Sequence, residues 1–258
     1  MRYSIVIPAY NESERIRASL DKILAFIATN PEYSGKTELL VVNDGSSDDT
    51  AATVQSYLPG NPTVRLIENP GNRGKGYSVR NGMLQATGSN LLFSDADLSS
   101  PIDEASKLFQ SLDAGADVAI GSRWLDASTQ TERQSFFRQS IGRTFNVLLR
   151  IILGIKQKDT QCGFKAFSRR AAEEIFPRQW IEGWGFDPEL IFLANRFRFK
   201  VVEVPVQWAH DARSKLNPVA DGFRMGMEVL QIRWNALIGR YRKKRFSMTA
   251  PASPNSGR

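Results

Sequence analysis

Apolar residues along the chain follow two alternating rhythms. The segments YSIVIPAY (3–10), ELLVVND (38–44), TVRLIEN (63–69), NLLFSDAD (90–97) and ADVAIGSR (116–123) carry short, nearly continuous apolar runs that end in polar or turn residues. Such runs predict strands covered on both faces. Between them, ESERIRASLDKILAFIAT (12–29) sets Ile16, Leu20, Ile23, Leu24 and Ile27 at helical spacing. SSDDTAATVQSYL (46–58) opens with a capping cluster, and GYSVRNGMLQAT (76–87) and PIDEASKLFQSLDAG (101–115) read as further helices. Strands alternating with helices predict an α/β fold with a mostly parallel central sheet flanked by helices.

The second half reads differently. FFRQSIGRTFNVLLRIILGI (136–155) is an apolar helix with arginines, DTQCGFKAFSRRAAEEIF (159–176) a loop and then a helix, and WGFDPELIFLANRF (184–197) a helix with an acidic start. KVVEVPVQW (200–208) is a strand, and residues 221–245 form a long C-terminal amphipathic helix with a basic end. The expected organisation is one domain over 1–245, in halves 1–122 and 123–245, followed by a disordered tail over 246–258.

In open parallel sheets, ligands bind beyond the carboxyl ends of the strands. The clusters PAYNE, NDGSSDDT, NPGNRGKG and SDAD all fall there. Asp95 and Asp97, with Ala96 between them, repel each other unless a cation intervenes. Hard divalent ions favour such oxygens and complete their shells with substrate phosphates. Alone, the pair reads more readily as acids capping the next helix; the flanking clusters reverse that reading. Tyr10 offers a stacking face, Glu12 an acceptor, and Asp44 an acceptor suited to a base edge. In the glycine-containing loop, Arg73 and Lys75 suit phosphate, but no Ser or Thr follows Gly-Lys as in a Walker A loop.

Composition adds limits. One cysteine, Cys162, excludes an internal disulfide, and one histidine, His210, speaks against a His-based metal site or triad. Cys162 is expected to be a buried small residue, and His210 a loop residue. No run reaches the roughly 18 apolar residues of a membrane span, and no signal peptide is expected before the first strand. The net charge of +7 divides unevenly, −5 over residues 1–122 and +12 over 123–258. An acidic half suited to metal is thus joined to a basic half suited to phosphate, anionic membrane or nucleic acid. The aromatic–basic patterning of RNA modules is missing, so no nucleic acid partner is expected.

The segments SIVIPAYNE, VVNDGSSDDT, NRGKG and FSDADLSSP, in that order, resemble family 2 glycosyltransferases of GT-A fold. Downstream, GSR, KDTQCGFKAFSRRAA, WGFDPELIFLA, VEVPVQW and SKL resemble the dolichyl-phosphate β-glucosyltransferase branch and, less closely, the mannose synthases. The resemblance covers roughly residues 3–243 and implies an inverting transfer of a hexose, glucose first among candidates, from a UDP-sugar to a polyprenyl phosphate. It implies Mg2+ or Mn2+ on Asp95 and Asp97, and donor contacts from Pro8, Ala9, Tyr10, Glu12, Asp44, Lys75 and Ala96. Arg123, Arg138, Arg143, Ser214 and Lys215 would meet the acceptor phosphate; Gln161, Asp187 and Glu189 would position acceptor or sugar. Residue-based rivals stay open for these: strand-end ion pairing for Arg123, surface positions for Arg138 and Arg143, helix capping for Asp187 and Glu189. Asn43 stands where many relatives carry Asp, and Ala209 where mannose synthases carry Arg, which favours the glucosyltransferase branch. The expected location is the cytoplasmic face of a membrane, held peripherally through an apolar stripe (Ile141, Phe145, Leu148, Leu149, Ile152) or the basic cluster 240–245. Rival readings are a haloacid-dehalogenase-type phosphatase, for DADLS, a non-catalytic nucleotide-binding protein, and a family 2 glycosyltransferase that uses GDP-mannose or acts on a non-lipid acceptor. The first is disfavoured because three strands precede the motif.

Overall fold

The computed structural model describes residues 1–125, 146–209 and 218–248. Five strands alternate with helices through the first half: β1 (Tyr3–Ala9), α1 (Ile16–Thr29), β2 (Thr37–Asn43), α2 (Thr50–Gln55), β3 (Val64–Glu68), α3 (Lys75–Gln85), β4 (Asn90–Ser94), α4 (Ala105–Asp113) and β5 (Val118–Ser122). A helical stretch α5 covers residues 146–153. It is followed by β6 (Phe164–Ser168), α6 (Arg169–Ile175), α7 (Phe186–Arg196), β7 (Val201–Pro205) and α8 (Pro218–Leu237).

The strands form one sheet in the order β3-β2-β1-β4-β6-β5-β7. All pairings are parallel except those of β6, which runs antiparallel to both β4 and β5. Side chains alternate across a strand, so Val6, Leu40 and Phe93 pack with α3, α6 and α7 on one face. Ile5, Ile7, Leu39 and Leu92 pack with α1 and α4 on the other. That double cover explains why β1, β2 and β4 are buried throughout.

The sheet differs from the sequence expectation at β6. The sequence reads 159–176 as a loop and then a helix, with no strand; Phe164–Ser168 pairs between β4 and β5, and its Lys165 is buried completely by pairing with a carboxylate. The described residues reach into the segment expected to be a tail. The backbone N–H groups of Arg245 and Phe246 both donate to the Pro177 carbonyl, and Phe246 and Met248 pack on the core.

Candidate active site

The carboxyl ends of β1, β2 and β4 come together because Ala9 sits beside Asn43 and Val6 beside Phe93. Asp44 follows β2 and donates its N–H to Ala9 O at 2.8 Å. Its buried carboxylate accepts from Asn69 Nδ2 (2.7 Å), Arg73 N (3.0 Å) and Gly74 N (2.8 Å). The acceptor that the sequence offers to a base edge therefore fastens the 69–75 loop. Pro8 and Ala9 are paired along β2, and Tyr10 is 41% exposed at the rim. Glu12 is ion-paired with Arg15 and donates its N–H to Thr50 Oγ1. Asp48 braces the same rim: burial disfavours its charge, but hydrogen bonds from Thr50 and Ser13 outweigh this and hold its pKa at about 2.

The centre lies where α3 begins and β4 ends. Lys75, the first residue of α3, brings Nζ to 2.6 Å from Asp95 Oδ1. The same ammonium lies 5.2 Å from the ring centroid of the half-buried Trp184. Burial works against the Lys75 charge, but Asp95, Asp187 and Asp97 outweigh it and raise its pKa. Asp97 accepts from Ser99 N at 2.9 Å, and Ala96 O accepts from Ser19 Oγ at 2.6 Å, which ties this loop to α1. Gly163 packs flat against Asp95: a Cβ there would lie 2.4 Å from Oδ2. Only glycine leaves room for the carboxylate.

Behind this pair, Lys165 of β6 reaches Asp187 at the start of α7 and the Cys162 carbonyl. Asp187 is thereby a buried, compensated carboxylate. The loop before α7 is tied to α3: Tyr77 N donates to Glu182 O at 3.2 Å, and the Glu182 carboxylate lies 2.8 Å from Arg80 and 3.8 Å from Arg73.

Arg123, beyond β5, forms a two-pronged pair with the fully buried Asp159, Nε to Oδ2 and Nη2 to Oδ1 both at 2.8 Å. It also lies over the Trp208 ring, 5.4 Å from its centroid. Burial opposes the Arg123 charge; Asp159 overrides it and raises the pKa, with Asp187 adding to the effect. Cys162 is buried, and desolvation first, then Asp159, pushes its thiol up to about 12, so it stays protonated at neutral pH. The Gln161 amide touches the Met225 sulfur of α8 at 2.6 Å. Glu189 is fully buried and accepts from Trp180 N, Ile181 N and Tyr241 Oη. Arg138, Arg143, His210, Ser214 and Lys215 lie outside the described residues, as do Ile141 and Phe145 of the expected stripe.

The structure thus gathers Lys75, Asp95, Asp97 and Asp187 into one centre with Trp184, which the sequence left open between a core aromatic and a sugar platform, and adds Lys165, Gly163 and Asp159, to which the sequence reading gave no role. DTQCGFK held the signal for the last three, since an acid, a glycine and a lysine in one short segment are unusual tenants of a core.

The residues present fit a divalent ion. Asp95 Oδ1 is buried against a cation, the Lys75 ammonium at 2.6 Å, so the carboxylate already sits where positive charge is held. Asp97 adds a second hard oxygen donor from the same loop. Among the described residues, no group of three or more His, Cys, Asp or Glu forms a protein-only cage. Two carboxylates fit an ion whose shell substrate phosphates complete.

The sequence model of Glycosyl transferase family 2 matches residues 4–176. The chain belongs to that family, and it is a glycosyltransferase. Its similarity is to dolichyl-phosphate β-glucosyltransferases: one from Trichomonas vaginalis is 38% identical over 240 residues, covering 89% of this chain and 70% of that one. Another, from Drosophila melanogaster, is 37% identical over 254 residues, covering 94% and 77%. Among solved structures, mannosyl-3-phosphoglycerate synthase from Rubrobacter xylanophilus superposes with a TM-score of 0.66 at 16% identity, covering 98% of this chain and 79% of that one. A mannosyltransferase from Pyrobaculum calidifontis in complex with GDP-mannose and Mn2+ superposes with a TM-score of 0.61 at 21% identity, covering 97% and 66%. The fold is GT-A.

Proposed function

We propose that this enzyme transfers a hexose, glucose first, from a UDP-sugar to a polyprenyl phosphate, dolichyl or undecaprenyl. The C1–oxygen bond to the diphosphate breaks as an acceptor phosphate oxygen bonds C1 from the opposite face. The configuration inverts, and UDP leaves with the electron pair. The carrying observation is the Lys75–Asp95 pair beside Asp97 at the strand ends, in a chain whose relatives are named dolichyl-phosphate β-glucosyltransferases.

The acceptor sets what the protein must do. A phosphate monoester, with its second pKa at about 6, is largely dianionic at neutral pH. It needs no general base, only orientation and charge compensation. Asp187 suits this: Lys165 already compensates it, so it orders the cations above it rather than taking a proton. Lys75 supplies a cation to the donor diphosphate, and Trp184 gives an apolar wall beside it. Asp95 and Asp97 would hold Mg2+ or Mn2+, which supplies charge to the departing diphosphate. In support, one structural neighbour was solved with Mn2+. Pro8, Ala9, Tyr10, Glu12, Asp44 and Ala96 line the donor side. Arg123, Arg138, Arg143, Ser214 and Lys215 serve the acceptor phosphate, with Gln161 and Glu189 positioning from behind. The enzyme works peripherally at the cytoplasmic face of a membrane; no described helix is long and apolar enough to cross one.

The test is a panel of nucleotide sugars incubated with short-chain polyprenyl phosphates and with soluble acceptors. Mass analysis of the product should find a hexose on the lipid, from a UDP donor, lost on EDTA treatment. Transfer only from GDP-mannose, only to soluble acceptors, or undiminished without divalent ion would each overturn the corresponding part.

A further inference from the structure

Helix α8 has two faces with opposite surroundings. Inward, Val229, Ile232 and Asn235 are fully buried. Glu228 accepts the Gly185 N–H at 2.6 Å, and Met225 meets Gln161. Glu228 also explains the glycines beside Trp184: a Cβ at Gly183 would lie 2.0 Å from Glu228 Oε1. The inner face therefore grips the loop that carries Trp184 to Lys75.

Outward, Phe223, Met227, Leu230, Trp234 and Leu237 are 74%, 54%, 53%, 60% and 75% exposed. Their spacing of four, three, four and three residues places them in one stripe along the helix. Five large apolar side chains left in water on one helix face mark a contact surface. Charge says what covers it. Residues 218–248 hold seven Lys and Arg against two acids, Asp221 and Glu228, and Glu228 is turned inward. Beside the stripe, Arg196 and Arg233 line a cavity of about 380 Å3. A second copy of the chain would bring two such basic segments together. An anionic bilayer neutralises them while taking up the apolar side chains, as it does for amphipathic helices lying in the interface.

The geometry points to the outer face of α8 as the surface that docks this enzyme on an anionic lipid bilayer. The inference rests on the polyprenyl-phosphate reading for its purpose, because α8 sets Trp184 and Gln161 within one helix width of the acceptor's membrane. It adds residues 223–237 to the expected contacts, the stripe over 141–152 and the basic cluster 240–245.

The experiment compares the full chain with a Leu230→Ser, Trp234→Ser, Leu237→Ser variant, by co-sedimentation with phosphatidylcholine–phosphatidylglycerol vesicles and with pure phosphatidylcholine vesicles. The native chain should bind the anionic vesicles, and release from them as salt rises. The variant should bind about tenfold more weakly or less. Its activity on a water-soluble short-chain acceptor should stay within about twofold, since none of the three residues touches the active site. Native protein that ignores anionic vesicles, or a variant that binds as well as native, overturns the proposal. A native dimer that the variant splits would make a second copy the occupant and overturn it too. Failure of the reaction itself would appear as no lipid-linked sugar in any arm, with vesicle binding intact.

Discussion

The two sides of the active site hold their charges by opposite means. On the side built by β1, β2 and β4, carboxylates sit at strand ends and are held by nearby loops: Asp44 by the 73–74 backbone, Asp48 by Ser13 and Thr50, Asp97 by Ser99. On the side built by β6, α7 and α8, charges are buried and matched one to one across long sequence separations: Lys165 with Asp187, Arg123 with Asp159, Tyr241 with Glu189. The first arrangement leaves oxygens available to a cation and a diphosphate. The second fixes the wall that closes on them. A carboxylate at the tip of a parallel strand can stay part-exposed and charged, whereas one within the packed half must find a partner or lose its charge.

This contrast predicts where substitutions act. The largest effect falls on the buried side. Lys165→Met strands Asp187 without its cation and should lower stability by about 3–5 kcal/mol, seen as a reduced urea midpoint. Adding Asp187→Leu should restore part of the loss; a double variant no better than the single would break the pairing argument. On the strand-end side, Asp97→Asn should leave the urea midpoint within about 0.5 kcal/mol of native. Lipid-linked product formation should fall about 10²–10³-fold, the scale for removing a group that stabilises developing charge. Gly163→Ala tests the contact between the two sides. The added methyl must displace the Asp95 carboxylate, and overpacking of this kind costs about 1–3 kcal/mol. Activity should drop more than stability; an unaffected rate would separate Asp95 from the chemistry.

The most gradual effect is a pH dependence. Desolvation raises the Glu189 pKa to about 7, against hydrogen bonds from Tyr241, Ile181 and Trp180 that favour its charge. The unfolded chain ionises this group near the ordinary glutamate value of 4.5. The folded state therefore holds the proton longer, and its contribution is complete below pH 4.5 and lost as pH rises toward about 7. Comparing native protein with Glu189→Gln by urea unfolding across that window should show a relative loss for native of at most about 1.4 kcal/mol per pH unit. Parallel pH curves for the two proteins would remove ionisation of Glu189 from the stability of this wall.

Much of the strand-end side was legible in the residues. NLLFSDAD announces a buried strand that delivers two carboxylates to a loop, because strand burial and carboxylate exposure are both local consequences of side-chain polarity. The order of β1 to β5, the helices between them and the carboxylates gathered at the strand ends follow from the same local pattern. The acceptor side was less legible. β6 was not read as a strand, and its buried Lys165 finds its counter-ion only 22 residues on. No local pattern announces that Asp44 also braces the 69–75 loop, or that Glu189 is hydrogen-bonded by Trp180 and Tyr241.

By itself the sequence determined the alternation of strands and helices, the mostly parallel sheet and the carboxylates at its edge, since each depends on contacts within a few residues or on periodicity. Only the tertiary structure decided which charges are spent on one another, that β6 runs against its neighbours, and that α8 turns Glu228 toward Gly185 and Trp234 toward water. A polar group's role depends on the partner that burial forces on it, and that partner is chosen by packing between segments far apart in the chain.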